Sequence, residues 1–190
     1  SDLVPLNKTD NKELLSELNG QTVDASVLYI YWQDGAWNTI CLPFDVADIE
    51  QTRLAGATVK TLESSAFNSK TGVLTLNFTE GSLTSLEAGK PYLIKWPDQD
   101  FDVMYPTFTG VTLTNEVSKV ETDYVDFTGD YSAMNLAADD RSVLYMGADN
   151  KLYYPSADVT VYAFRAYFKL KGLTAVDLPT GVRAFVLNFG

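Results

Sequence analysis

The chemistry open to this 190-residue chain is bounded first by two counts: it has no histidine and a single cysteine, Cys41. Without imidazole, neither a Ser-His-Asp nor a Cys-His arrangement can be assembled. Zinc sites that need imidazole are excluded too, because one thiol cannot replace it. No GxGxxG or GxxxxGK[ST] run is present to cradle a nucleotide phosphate. What remains is carboxylates, aromatic rings and four arginines.

Two carboxylates flanking a sugar suffice for glycoside hydrolysis. Asp34, Asp45, Asp126 and Asp130 fall on predicted turns or strand ends. Among 25 acidic residues the availability of a pair is no signal, and each of the four reads first as a turn or cap residue. The segment "PDQDFD" sets Asp98, Asp100 and Asp102 at alternate positions, as at the start of a calcium loop. An EF-hand would then need Gly at the sixth position and Glu at the twelfth. Val103 and Thr109 stand there, so that match fails. A looser calcium site or a solvated acidic turn is left, and no other cofactor is expected.

Tyr, Phe and Trp number 11, 10 and 3, and flat aromatic faces can stack on sugar rings as well as fill a core. Trp32 and Trp37 flank a predicted hairpin turn at Gln33-Asp34-Gly35. Trp96 ends a strand just before Pro97, and Tyr153 and Tyr154 follow the Asp149-Asn150 turn. Arg165 completes the candidate ligand-binding set. It lies at the centre of "YAFRAYFKL", which is echoed by "VRAFVLNF" near the end of the chain. Strict alternation puts Tyr162, Phe164, Ala166, Phe168 and Leu170 on a core face, and Ala163, Arg165, Tyr167 and Lys169 on the other. A buried guanidinium must be paired, so Arg165 is expected to lie across a carboxylate or a ring of a neighbouring strand. Exposed beside Tyr167, it would instead suit an acidic sugar or a partner protein.

The elements that must position these groups are mostly strands. "TDNKELLSELNG" reads as a short helix, with Asp10 as N-cap, Glu13 completing a capping box and Leu14, Leu15 and Leu18 as its apolar stripe. A second short helix is predicted between Asp45 and Gly56. About eleven short strands follow one another at spacings of roughly 8–12 residues, separated by turn chemistry, which is the pattern of a sandwich or barrel. The fold expected is all-β: a two-sheet antiparallel β-sandwich, jelly-roll-like, with one or two short helices. It forms a single domain over 1–190, with 1–20 as a helical lead-in. Its core is predicted to include Leu28, Ile30, Ile40, Leu42, Leu74, Leu76, Leu93, Phe164, Phe168 and Val186. The two Arg-Ala-aromatic strands read as neighbours in one sheet.

The net charge of −11 repels phosphate backbones, so nucleic acid is a poor partner. No apolar run approaches the roughly 20 residues of a membrane span. Ser1 in place of Met fits a removed leader or an excised domain.

The phrases "DGAWNTICLPFDV", "LEAGKPYLIKW", "VDFTGDYS", "LYMGADNKLYYP", "FRAYFKL" and the closing "RAFVLNFG" together resemble a family of β-rich domains from exported and surface proteins of gut Bacteroidetes. The similarity runs in order over roughly residues 20–190. It implies an exported, sandwich-like domain and a secreted or bacterial cell-surface location. It brings no catalytic or ligand residues to any position. Composition and resemblance together suggest a non-catalytic binding or adhesion module, with carbohydrate, a host protein or neighbouring domains as partner. The alternatives are a structural spacer domain of a multidomain surface protein and a carboxylate-dependent glycoside hydrolase.

Overall fold

A computed structural model describes residues 3–28, 35–97, 105–176 and 181–190. In chain order its strands are β1 (Leu3–Leu6), β2 (Thr22–Val27), β3 (Asn38–Ile40), β4 (Thr58–Lys60), β5 (Leu62–Asn68), β6 (Val73–Phe78), β7 (Tyr92–Lys95), β8 (Thr107–Thr112), β9 (Val120–Glu121), β10 (Val125–Gly129), β11 (Met134–Leu136), β12 (Val143–Met146), β13 (Leu152–Tyr153), β14 (Val159–Val161), β15 (Ala166–Leu170) and β16 (Ala184–Asn188). One α-helix, α1, spans Lys12–Glu17. The chain is therefore all-β and sandwich-like, as the strand spacing predicts.

Hydrogen bonding divides the strands into five sets, in the orders β1-β2-β8, β13-β12-β15-β10-β9, β11-β14, β16-β6-β5 and β3-β7-β4. Antiparallel pairing dominates; among the described strands β1 with β2 and β16 with β6 run parallel, as does the isolated bridge between Ala175 and Val182. The β3-β7-β4 sheet lies between two apolar cores, and its alternation shows how. Tyr92 and Ile94 of β7, with Ile40 and Val59, join a core that also holds Leu6, Leu15, Phe44, Phe108 and Phe164. Leu93 points the other way, into a core with Leu74, Leu76, Phe127 and Phe168. A strand covered on both faces needs apolar residues at successive positions rather than alternate ones, which accounts for the run "YLI".

Helix α1 forms where the leucine stripe puts it: Leu15 is fully buried, and Leu14 and Leu18 pack against the first core. The cap lies one residue later than predicted, at Asn11. The Asn11 side chain does not bond the helix; it holds Asn7 and donates to the Tyr131 carbonyl, 2.8 Å away. Asp10 still accepts from the first helical amide, Lys12 N–H, at 3.1 Å. That bond and one from Ser132 hold its carboxyl below the usual range. The lead-in is thus a strand followed by a helix.

Several expectations are corrected. The predicted helix between Asp45 and Gly56 contains only a 3-10 turn, Ile49–Gln51, capped by Asp48. β15 and β16 are not neighbours: β15 lies between β10 and β12, whereas β16 edges a different sheet beside β6. Val186 is 45% exposed because β16 is an edge strand that turns only Phe185 and Leu187 toward the core. Leu28 is half-buried, and Ile30 lies outside the described residues. The remaining predicted core positions are buried.

Candidate functional site

The "YAFRAYFKL" segment does not run through as one strand. Residues 162–165 make a tight turn, closed by Arg165 N–H donating to the Tyr162 carbonyl at 3.2 Å, and the strand starts at Ala166. Tyr162 is therefore 44% exposed rather than part of the core. Phe164 adopts φ +69°, a conformation that a bulky residue rarely accepts. It is held there from both ends: its N–H donates to the Asp130 carbonyl at 2.9 Å, and its own carbonyl accepts from Cys41 N–H at 2.7 Å. Its ring is fully buried beside Tyr131. Backbone strain of this kind persists only where the surroundings over-determine it.

The strained turn aims Arg165. Its Nη1 donates to the Thr39 carbonyl of β3 at 3.2 Å, while Thr39 Oγ1 accepts from Ala166 N–H at 2.9 Å. On β3 the guanidinium therefore meets a backbone carbonyl. Desolvation pushes the guanidinium down to about 10, so it stays cationic at neutral pH. Gly129 of β10 makes room for this junction. A Cβ there would lie 2.5 Å from Cys41 Cβ and 2.7 Å from the Arg165 carbonyl.

Arg165 opens onto a cleft of about 290 Å³. One wall is the arm Trp37–Thr39, another is Tyr145 and Met146 of β12 with Ala148 of the following turn, and the third is β14 with Tyr162. The walls are tied together by Trp37 N–H, which donates to Asn150 Oδ1 at 2.7 Å. Among the described residues that line the cleft, Arg165 is the only charged one, in a chain whose net charge is −11. Lys8 Nζ lies 4.9 Å from the centre of the Tyr162 ring and puts a second positive charge beside the cleft wall.

The other candidates separate by environment. Trp37 lines the cleft but is buried, stacked on Phe189 at 5.0 Å with Lys95 Nζ 4.8 Å from its ring centre. Trp96 is buried in the first core, and its Nε1 donates to the Ala55 carbonyl. Tyr153 is 41% exposed, pairs with the Tyr145 ring at 6.0 Å and donates to Asp149. Tyr154 is half-buried under the Arg141 guanidinium, 4.5 Å away. Trp32, Asp34, Asp98, Asp100 and Asp102 lie outside the described residues. Sequence reasoning missed Tyr145, Met146, Thr160 and Tyr162 as cleft residues. Tyr162 carried no usable signal, because the turn that uncovers it contains no glycine, proline or asparagine.

The described carboxylates raised as catalytic candidates are tied to structural partners. Asp45 accepts from Ala88 N–H at 2.7 Å, and Asp130 accepts from Tyr131 N–H and lies 3.4 Å from Lys12 Nζ. Asp126 is buried on β10 between Lys171, at 3.1 Å, and Lys119, at 3.3 Å. A second hollow, of about 390 Å³, runs between residues 45–52 and β8. Its two carboxylates, Asp45 and Asp48, both accept backbone N–H groups. No cluster of three or more metal-ligating side chains occurs among the described residues, and none of their helices is long and apolar enough to cross a membrane. No family model, curated protein or solved structure matches the chain.

Proposed function

We propose that this chain is a non-catalytic binding module of a bacterial secreted or cell-surface protein, and that it takes carbohydrate in the cleft beside Arg165. The observation that carries the reading is the composition of that cleft: aromatic side chains from three separate elements around one cation and neutral hydrogen-bonding groups. Ligand sites are typically apolar and aromatic surfaces with a few placed polar groups. The volume, about 290 Å³, suits one sugar residue or the end of a chain. The structural engagement of Asp45, Asp126 and Asp130 supports a non-catalytic role. The resemblance to exported β-rich domains supports the location.

A spacer role is favoured by a different observation: two of the described candidate tryptophans, Trp37 and Trp96, are packed into cores rather than displayed. A broad glycan array followed by calorimetric titration separates the two. Carbohydrate binding that drops at least about tenfold in Tyr162→Ala, with the fold intact, is expected for the binding module. A blank array with folded protein leaves the spacer.

A further inference from the structure

Given that binding reading, on which this inference rests, we propose that the ligand is a chain of several neutral sugar residues, and that the units continuing beyond the cleft pack against the ring of Tyr153. Tyr153 lies on β13, an edge strand paired with β12. It is 41% exposed, and its ring belongs to none of the apolar clusters. The side chain is nevertheless held at three points. Its hydroxyl donates to Asp149. Its ring faces its cross-strand partner Tyr145, 6.0 Å between centres. Gly147 leaves room for the ring edge, since a Cβ there would lie 2.7 Å from it. A rigid aromatic surface offers contact area at little cost in conformational freedom on binding.

The turn that holds Tyr153 also builds the cleft. Ala148 lines the cleft, Asn150 Oδ1 accepts from Trp37 N–H at 2.7 Å, and Asp149 between them anchors Tyr153. Tyr145 both lines the cleft and meets the Tyr153 ring. Cleft and ring are therefore fixed relative to each other before any ligand arrives. A cleft of about 290 Å³ takes one sugar residue, so a longer chain must leave it, and Tyr153 extends the aromatic wall that it leaves by. The exposed Asp149 beside the ring and the net charge of −11 disfavour acidic units there.

The test is a titration of the full chain with four neutral ladders, the cello-, laminari-, malto- and xylo-oligosaccharides, each from one to five residues long. In at least one ladder, affinity should rise about fivefold to tenfold between the shortest member that binds and the member two residues longer, the gain expected of one added aromatic contact. Tyr153→Ala should remove that rise and leave the shortest member's affinity unchanged. Tyr153→Phe keeps the ring and loses only the bond to Asp149, so it should retain most of the rise. Tyr162→Ala, by contrast, should weaken every member of the ladder alike. Level affinity along every ladder that binds, or a rise that survives Tyr153→Ala, overturns the inference while leaving the binding module standing. No binding of any ladder also overturns it, and with the glycan array blank as well it ends both.

Discussion

Lys60 offers a quantitative test of how the second core is closed. The residue is 7% exposed, and its ammonium donates to the carbonyls of Thr79, Gly81 and Phe189 at 3.0, 2.9 and 3.1 Å. The three N–H donors of the ammonium are thereby matched by three acceptors. Lys60→Met keeps the bulk of the aliphatic stem and removes all three bonds. Bonds to charged groups contribute about 1.5–3 kcal/mol each, but the substitution also removes the cost of desolvating an ammonium, which is several kcal/mol. The expected net loss is therefore about 2–3 kcal/mol rather than the sum of the bonds. In a domain of this size that lowers Tm by roughly 4–12 °C. Thermal and urea melts measure the loss. Hydrogen exchange locates it, because the freed Phe189 carbonyl should let residues 184–189 open well below the global unfolding energy. A variant as stable as the parent, with unchanged exchange in β16, would refute the reasoning. The ammonium would then be no better than an apolar isostere, and the last strand would be held by packing alone.

Other expected outcomes concern the junction and the cores. Gly129→Ala should destabilise by about 2–3 kcal/mol, since the new methyl meets the Cys41 side chain and a backbone carbonyl at once; a melt with little change would show that β10 can shift. Trp37→Ala should cost about 3–5 kcal/mol because the ring is buried on Phe189, whereas Tyr162→Ala should alter Tm little, and denaturation curves compare the two. Burial pushes the Cys41 thiol up to about 12, helped by the charge of Asp130, and burial likewise raises Tyr92 to about 12 and raises Tyr131. Raised values in the folded state mean that stability is whole below the ordinary values of 9.0 and 10.0 and is lost as pH climbs through the folded ones. Urea midpoints should therefore be level from neutral pH up to 9.0 and fall between there and about 12. In Cys41→Ala the onset should move toward 10.0, the ordinary value of the tyrosines. An aromatic disulfide reagent at neutral pH should label Cys41 only after unfolding.

The leucine stripe of α1, the turn-bounded strands and the aromatic share of the core were legible because each is a local pattern. β5 shows less alternation: in "LESSAFN" the small polar Ser65 is buried, and its Oγ shares a hydrogen bond with the Thr122 hydroxyl at 2.6 Å. The break at Phe164 was hidden. A left-handed residue is normally announced by glycine or asparagine, and here long-range bonds from Asp130 and Cys41 impose the conformation on an aromatic. The cleft itself is assembled from arms more than a hundred residues apart, such as Trp37 and Asn150. Alternation could name Arg165 as unusual, but not say which groups it would meet. The Thr39 carbonyl that the guanidinium meets on β3 is a backbone group, which no side-chain pattern announces.

The parallel register of β16 on β6 has a consequence for the order in which the molecule comes into being. Asn77 waits for a partner 111 positions later in the chain, and the Lys60 ammonium for a carbonyl 129 positions later. Contacts of such sequence separation are slow to form, because the loop must close before any of them is made. Until residues 184–189 dock, the β6 edge is open, the Lys60 ammonium lacks one of its three acceptors and Trp37 lacks the Phe189 ring stacked on it. The rigidity of the β6 edge is thus expected to arrive late, when β16 docks on it.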